Sequence, residues 1–146
     1  MKPVTAYFTA PIRGPKGDRT TQDEINRNLE TGKAFAAKIR KMFGSLIKIY
    51  CPHDQDDLIQ VLWERKQVTA FQVIDGDLVI LRPKDFVLVY WPYKENLCGG
   101  CKIEFDEAIR LHKPVVKFCE LNDAVYFEIF KVISEIIKQK YFCNRV

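Results

Sequence analysis

What the sequence lacks removes several classes of protein. No stretch approaches the roughly 18 consecutive apolar residues of a membrane-spanning helix, so no membrane association is expected. The opening "MKPVTAYFTAP" runs straight into strand-like residues without an apolar signal region and cleavage site, which points to a cytoplasmic protein. There is no heavy excess of one charge. The 23 Lys and Arg against 19 Asp and Glu leave a net +4, too mild for a surface that grips duplex nucleic acid. It is compatible with a small phosphorylated ligand. No internal repeat, low-complexity run or linker interrupts the chain, so residues 1–146 are expected to form one domain. The five cysteines are odd in number and irregularly spaced, unlike a secreted disulfide framework.

What is there can fold. Apolar residues make up 47% and charged residues 29%, a balance that buries a core rather than leaving a disordered chain. Val4 to Thr9 is a short β-type run, followed by the Pro- and Gly-rich loop "APIRGPKGDR". Thr21 and Glu24 have the spacing of a capping box. Ile25, Leu29, Ala36, Ile39 and Phe43 continue at helical spacing until Gly44. "LIKIY" (46–50) reads as a second strand and "CPHDQDD" as the loop after it, with helical pattern returning at Leu58, Val61 and Leu62. Phe71, Ile74, Leu78 and Leu81 predict a further helix with one apolar face, stopped by Pro83.

"FVLVYW" (86–91) is the most continuous apolar run, as expected of a strand buried on both sides. A Gly-rich loop, a helix from about Cys101 to about His112, the strand "PVVKF" and a last helix capped by Asn122 complete the chain. The inward residues of that last helix are Val125, Ile129, Ile133 and Ile136. Strands alternate with helices, which predicts an α/β three-layer sandwich of the Rossmann/flavodoxin-like kind, with a mostly parallel sheet of four to five strands. Ligands bind such sheets at the carboxyl ends of the strands, which singles out the loops 10–20 and 92–100.

Three groups of residues there could carry chemistry. Glu104, Ala108 and Leu111 share one helix face, so a carboxylate lies on the stripe that meets the core. A plainer reading is a first-turn acid favoured by the helix dipole. Asp77 lies beside the apolar stripe of the preceding helix, where Asp and the neighbouring Gly76 are poor helix formers; a helix break in "IDGDL" would explain it as well. Two misplaced carboxylates beside one central strand fit glycosyl transfer.

The second group is Cys98-Gly-Gly-Cys101. It has the spacing of a redox pair, or with Cys51 and His53 of a zinc site, but free, partly buried cysteines are the preferred reading and no metal is expected. Gly100 suits a tight turn with close backbone approach to a ligand. The third group is the loop with Arg13, Gly14, Lys16, Gly17 and Arg19, suited to phosphate or sugar capture, or simply a solvated basic loop.

The order and spacing of these motifs resemble the nucleoside 2-deoxyribosyltransferase superfamily, including its 2'-deoxynucleoside 5'-phosphate N-hydrolase branch. "AYFTAPIRGPKGDR" is similar to that branch's opening, "DLVILRPKD" to its pair of aspartates, and "CGGCKIEFDEAIRLHKPVV" to its Gly-x-x-x-Glu signature. The match spans about Tyr7 to Val116. The resemblance implies that Glu104 attacks the anomeric carbon, Asp77 handles the proton of the departing base, and Tyr7 orients Glu104 or meets the sugar. It also implies that Ile12, Arg13 and Gly14, with Arg19, embrace the sugar or its 5'-phosphate.

Cys98 occupies a substrate-contact position where the transferases tend to have Asp and the hydrolases Ser. Asp85 matches one family aspartate in sequence, yet its place at the start of the central strand suggests a structural role. No cofactor is implied, and a homodimer or higher homo-oligomer is. In the transferases a neighbour's C-terminus lends a carboxylate to the site, and this chain ends "YFCNRV". The competing expectation is a non-catalytic module of the same fold that senses a nucleotide.

Overall fold

A computed structural model describes residues 1–142. Four parallel strands, β1 (Val4–Thr9), β2 (Ile47–Tyr50), β3 (Phe86–Tyr90) and β4 (Val115–Phe118), lie in the order β2-β1-β3-β4. The helices are α1 (Gln22–Phe43), α2 (Asp56–Glu64), α3 (Ala70–Leu81), α4 (Gly99–Arg110) and α5 (Asp123–Tyr141). The result is a Rossmann/flavodoxin-like α/β sandwich with an all-parallel sheet.

Side-chain alternation along β1 builds the two sides of the sheet. Val4, Ala6 and Phe8, joined by Phe86 and Leu88 of β3, pack on Ala36 and Ile39 of α1 and on Val125, Ile129 and Ile133 of α5. Tyr7, Val87 and Val89 turn the other way, onto Leu81 of α3 and Ala108 of α4. Tyr7 pairs in register with Tyr50 on one side and Val87 on the other. The strand order reverses between β1 and β3, and in such sheets ligands bind at the carboxyl edge beside that reversal.

The helix ends follow local chemistry. Thr21 and Glu24 form the expected capping box on α1, and Thr69 with Gln72 forms a second on α3. Gly44 closes α1 at φ 53°, and Asn122 accepts from the Val125 N–H to start α5. Asp85 is structural: its Oδ2 accepts from the Thr5 N–H at 2.8 Å, and its Oδ1 pairs with Lys140 at 2.7 Å.

Several expectations need correction. The segment "CPHDQDD" is not open loop: a short 3-10 helix spans Pro52–Gln55 and α2 begins at Asp56. Residues Gly14–Arg19 likewise coil into 3-10 turns. No break occurs at "IDGDL", because α3 runs unbroken from Ala70 to Leu81. Leu81 is buried at one end of its stripe, but Phe71 at the other is 78% exposed. Phe71 sits in the first turn of α3, at the opposite end of the helix from Leu81. Gly100 is not the turn residue; Gly99 holds the positive φ, 59°. Among the described residues no helix is long and apolar enough to cross a membrane.

Candidate functional site

Helix α4 starts at Gly99, two residues earlier than its apolar pattern suggests, with Cys98 at the N-cap. That moves Glu104 into the second turn and leaves no acid in the first. The dipole explanation therefore fails for Glu104, since the dipole's effect fades within the first turn. Glu104 is 6% exposed, and its Oε2 is buried without a hydrogen-bond partner. Burial pushes its pKa up to about 8, with the Asp77 carboxylate adding to the rise and the Thr9 and Tyr7 hydroxyls opposing it.

Tyr7 comes up from β1 beneath this carboxylate. Its hydroxyl is buried and also lacks a partner. Burial, then the charges of Glu104 and Asp77, drive the phenol far above its ordinary pKa, so it stays a donor. The two groups interact without meeting in hydrogen-bond geometry. Asp77, half-buried on α3, has its pKa raised to about 6 by burial. The structure thus draws Glu104, Asp77 and Tyr7 together, from α4, α3 and β1, on the side of the sheet away from α1 and α5.

Two neighbours carried no sequence signal of their own. Thr9 is buried two residues after Tyr7 on the same strand face, and donates from Oγ1 to Cys101 Sγ at 3.4 Å. Strand alternation from Tyr7 would have found it. Tyr50 ends β2 beside Tyr7, ring centroids 5.6 Å apart. Burial and the Asp77 charge raise its pKa. Its position at the carboxyl edge was the available clue.

The two loops singled out by topology meet above this cluster. Cys98 Sγ donates to the Gly14 carbonyl at 3.7 Å. Gly14 has φ 69°, and a Cβ there would stand 2.6 Å from the Tyr93 hydroxyl, so only glycine fits. Asn28 fastens both loops, donating to the Ile12 carbonyl at 2.8 Å and to the Tyr93 hydroxyl at 3.3 Å. Gly100 lies against the site: a Cβ on it would be 4.0 Å from Glu104 Oε1.

The basic residues of the loop are placed less directly. Arg13 pairs with Asp18 at 2.7 Å and lines an open cavity of about 280 Å³ with Lys16, Arg27 and Tyr93; Glu104, Asp77 and Tyr7 do not line it. Ile12 and Arg19 are exposed. Cys51 and His53 do not join Cys98 and Cys101, since the described residues hold no group of three or more His, Cys, Asp or Glu able to bind a metal ion. His53 is instead buried against Gly32 of α1, where a Cβ would overlap its ring. The terminal "CNRV" of the chain, and with it the terminal carboxylate, lies outside the described residues.

Compared with known proteins, the chain matches no protein-family model, no curated protein and no solved structure. What the cluster can do is therefore read from its own chemistry. It holds two carboxylates of elevated pKa, two hydroxyl donors and an aromatic ring, where such sheets bind ligands.

Proposed function

We propose that this protein cleaves or transfers the N-glycosidic bond of a nucleoside or nucleotide through a glycosyl-enzyme ester on Glu104. The observation that carries this reading is the convergence of Glu104 and Asp77, both with raised pKa values, on a buried Tyr7 hydroxyl that has no other partner. A structural helix has no use for that arrangement, and paired carboxylates are what glycosyl transfer needs.

Glu104 attacks C1' as the bond to the base breaks, and the bonding electrons leave with the base nitrogen. Asp77 gives that nitrogen its proton. The Tyr7 hydroxyl donates to the ionised glutamate. Water, or the nitrogen of a second base, then attacks C1', its proton returns to Asp77 and Glu104 is released.

Protonation sets a condition on this sequence. Glu104, at about 8, holds its proton more tightly than Asp77, at about 6. The reactive arrangement has the single proton on Asp77 instead. Both arrangements belong to the same singly protonated pair, so activity peaks where the pair carries one proton. The basic side chains of Arg13, Lys16 and Arg19 favour a 5'-phosphorylated substrate. Apolar side chains exposed on α2 to α4, including Leu58, Val61, Trp63, Phe71 and Val79, support pairing with a second copy.

Chromatography for free base tests this reading. The protein and its Glu104→Ala variant are incubated with deoxynucleosides and their monophosphates, with and without an acceptor base. Release by the native protein alone is expected, and a new nucleoside formed only with acceptor would mark a transferase. If neither releases base while a nucleotide raises the melting temperature, the protein is a nucleotide-binding module and Glu104 has no chemical role.

A further inference from the structure

The glycosidic chemistry leaves one motif unused, the thiol pair at the head of α4. Cys98 is the N-cap and Cys101 the third helical residue. Gly99 between them has φ 59°, so the chain turns sharply there. Cα atoms three residues apart across a tight turn lie within about 7 Å, in reach of the span of about 4.4 to 6.8 Å that a disulfide bridges. The residues between them, Gly99 and Gly100, have no side chain to obstruct closure.

Each thiol is also tied to the site. Cys98 Sγ donates to the Gly14 carbonyl of the loop 10–20, and Cys101 Sγ accepts from the Thr9 hydroxyl beside Glu104. Cys101 is buried and Cys98 half-buried, so Cys98 is the one open to a soluble oxidant.

We propose that Cys98 and Cys101 form a reversible disulfide that regulates the Glu104 site, with a small soluble disulfide such as oxidised glutathione as the oxidant. The Cys98 thiolate attacks one glutathione sulfur, forming a mixed disulfide and expelling one glutathione. The Cys101 sulfur, giving up its proton, then attacks the Cys98 sulfur and expels the second. Two electrons pass from the protein to glutathione, and the two thiol protons end on the two glutathione thiols released. Closure withdraws the Cys98 hydrogen from Gly14 and the Cys101 sulfur from Thr9. The loop over the site loses a tether, and binding weakens.

The bond itself is independent of the proposed activity; its regulatory effect rests on that activity. Full-length protein is equilibrated in glutathione buffers of graded redox ratio, alkylated and mapped by mass spectrometry. The peptide holding Cys98 and Cys101 should lose the mass of two hydrogens, recover it with dithiothreitol, and do so equally in Cys119→Ser. Cys98→Ser, which keeps a favourable N-cap residue, should not form the bond. Cys98 found only as a glutathione adduct, or bridged elsewhere in a folded protein, overturns the proposal.

Oxidised protein should show KM for base release raised roughly fivefold, as for one lost hydrogen bond, with kcat less affected. Equal KM in the two redox states removes the regulatory part. If the bond forms but neither state releases base, the pair stands and the glycosidase reading fails. A nucleotide's effect on melting temperature, compared between the two states, then decides the regulation.

Discussion

The two sides of the sheet are built from the same strands and differ in what they bury. Towards α1 and α5 lies a broad apolar core, from Val4, Phe8 and Ile39 through to Ile136. Towards α3 and α4 the apolar cluster is small, Tyr7, Leu81, Val87, Val89 and Ala108, and beside it Glu104 and the Tyr7 hydroxyl are buried without partners. Each such orphan costs about 1–3 kcal/mol. A fold that needed only stability would spread hydrocarbon over both sides. His53 sharpens the contrast. Its Nδ1 is also buried without a partner, but on the α1 side, closed over by Gly32 and away from both carboxylates. Burial without pairing marks a site only where titratable groups gather at the edge where ligands bind.

The largest effect should come from the glutamate. Glu104→Gln keeps shape and burial and removes the nucleophile, so base release should fall by at least about a thousandfold. Stability should move the other way. The folded-state pKa of Glu104 is raised from 4.5 to about 8, so its contribution is intact below about 4.5 and lost as pH rises through 8. Urea unfolding at pH 9 should therefore find Glu104→Gln more stable than the native protein, and at pH 4.5 much less so. An equal loss of stability at both pH values would mean that Glu104 belongs to the packing of its side, like Ala108.

Asp77 comes next. Base release should follow a bell-shaped pH profile with limbs near 6 and 8, because the doubly protonated pair has no nucleophile and the doubly ionised pair has no acid. Asp77→Asn should cost on the order of a hundredfold in kcat and abolish the alkaline limb. Without the Asp77 charge, the Glu104 pKa should fall below 8, and its ionisation alone then sets the acid limb, which moves up from near 6 towards that value. A kcat/KM profile for Asp77→Asn that keeps the native alkaline limb would remove Asp77 from proton transfer.

The apolar side can be probed through its own orphan. A Cβ on Gly32 would overlap the His53 ring, so Gly32→Ala should destabilise the fold by about 1–3 kcal/mol while leaving turnover per folded molecule intact. Burial holds the His53 pKa near 4, below its ordinary 6.5. A depressed histidine stabilises the fold above pH 6.5 and loses that contribution as pH falls towards 4. Glu104 and Asp77, whose pKa values are raised, slope the other way over that window, so the His53 contribution is read as a difference. The stability advantage of the native protein over the variant, whose imidazole is expelled to solvent, should shrink as pH falls from 6.5 towards 4. If Gly32→Ala instead lowered turnover per folded molecule, the two sides would not be separable.

The sequence exposed the apolar side more fully than the side that carries the carboxylates, for a physical reason. Helix periods, capping boxes and Gly44 are local signals, so β1, α1 and the inward face of α5 could be read from their own residues. Glu104 and Asp77 stood out because each broke such a pattern. Thr9 and Tyr50 broke none; they matter only because parallel pairing places β1 beside both β2 and β3. The start of α4 was misjudged because Cys98 makes no side-chain capping bond. Phe71 misled in the opposite direction, since periodicity reports a face and not what covers it.

Phe71 also offers the gentlest test of the comparison. On the α5 side, truncating an inward residue such as Ile133 removes buried contacts, but the Phe71 side chain already faces outward, 78% exposed. Phe71→Ser should change the stability of an isolated chain by less than about 0.5 kcal/mol. If the outer face of α3 pairs with a second copy, the same change should leave the far-ultraviolet circular dichroism untouched and lower the sedimentation coefficient at micromolar concentration. A native protein that sediments as a monomer throughout that range would remove the pairing proposal.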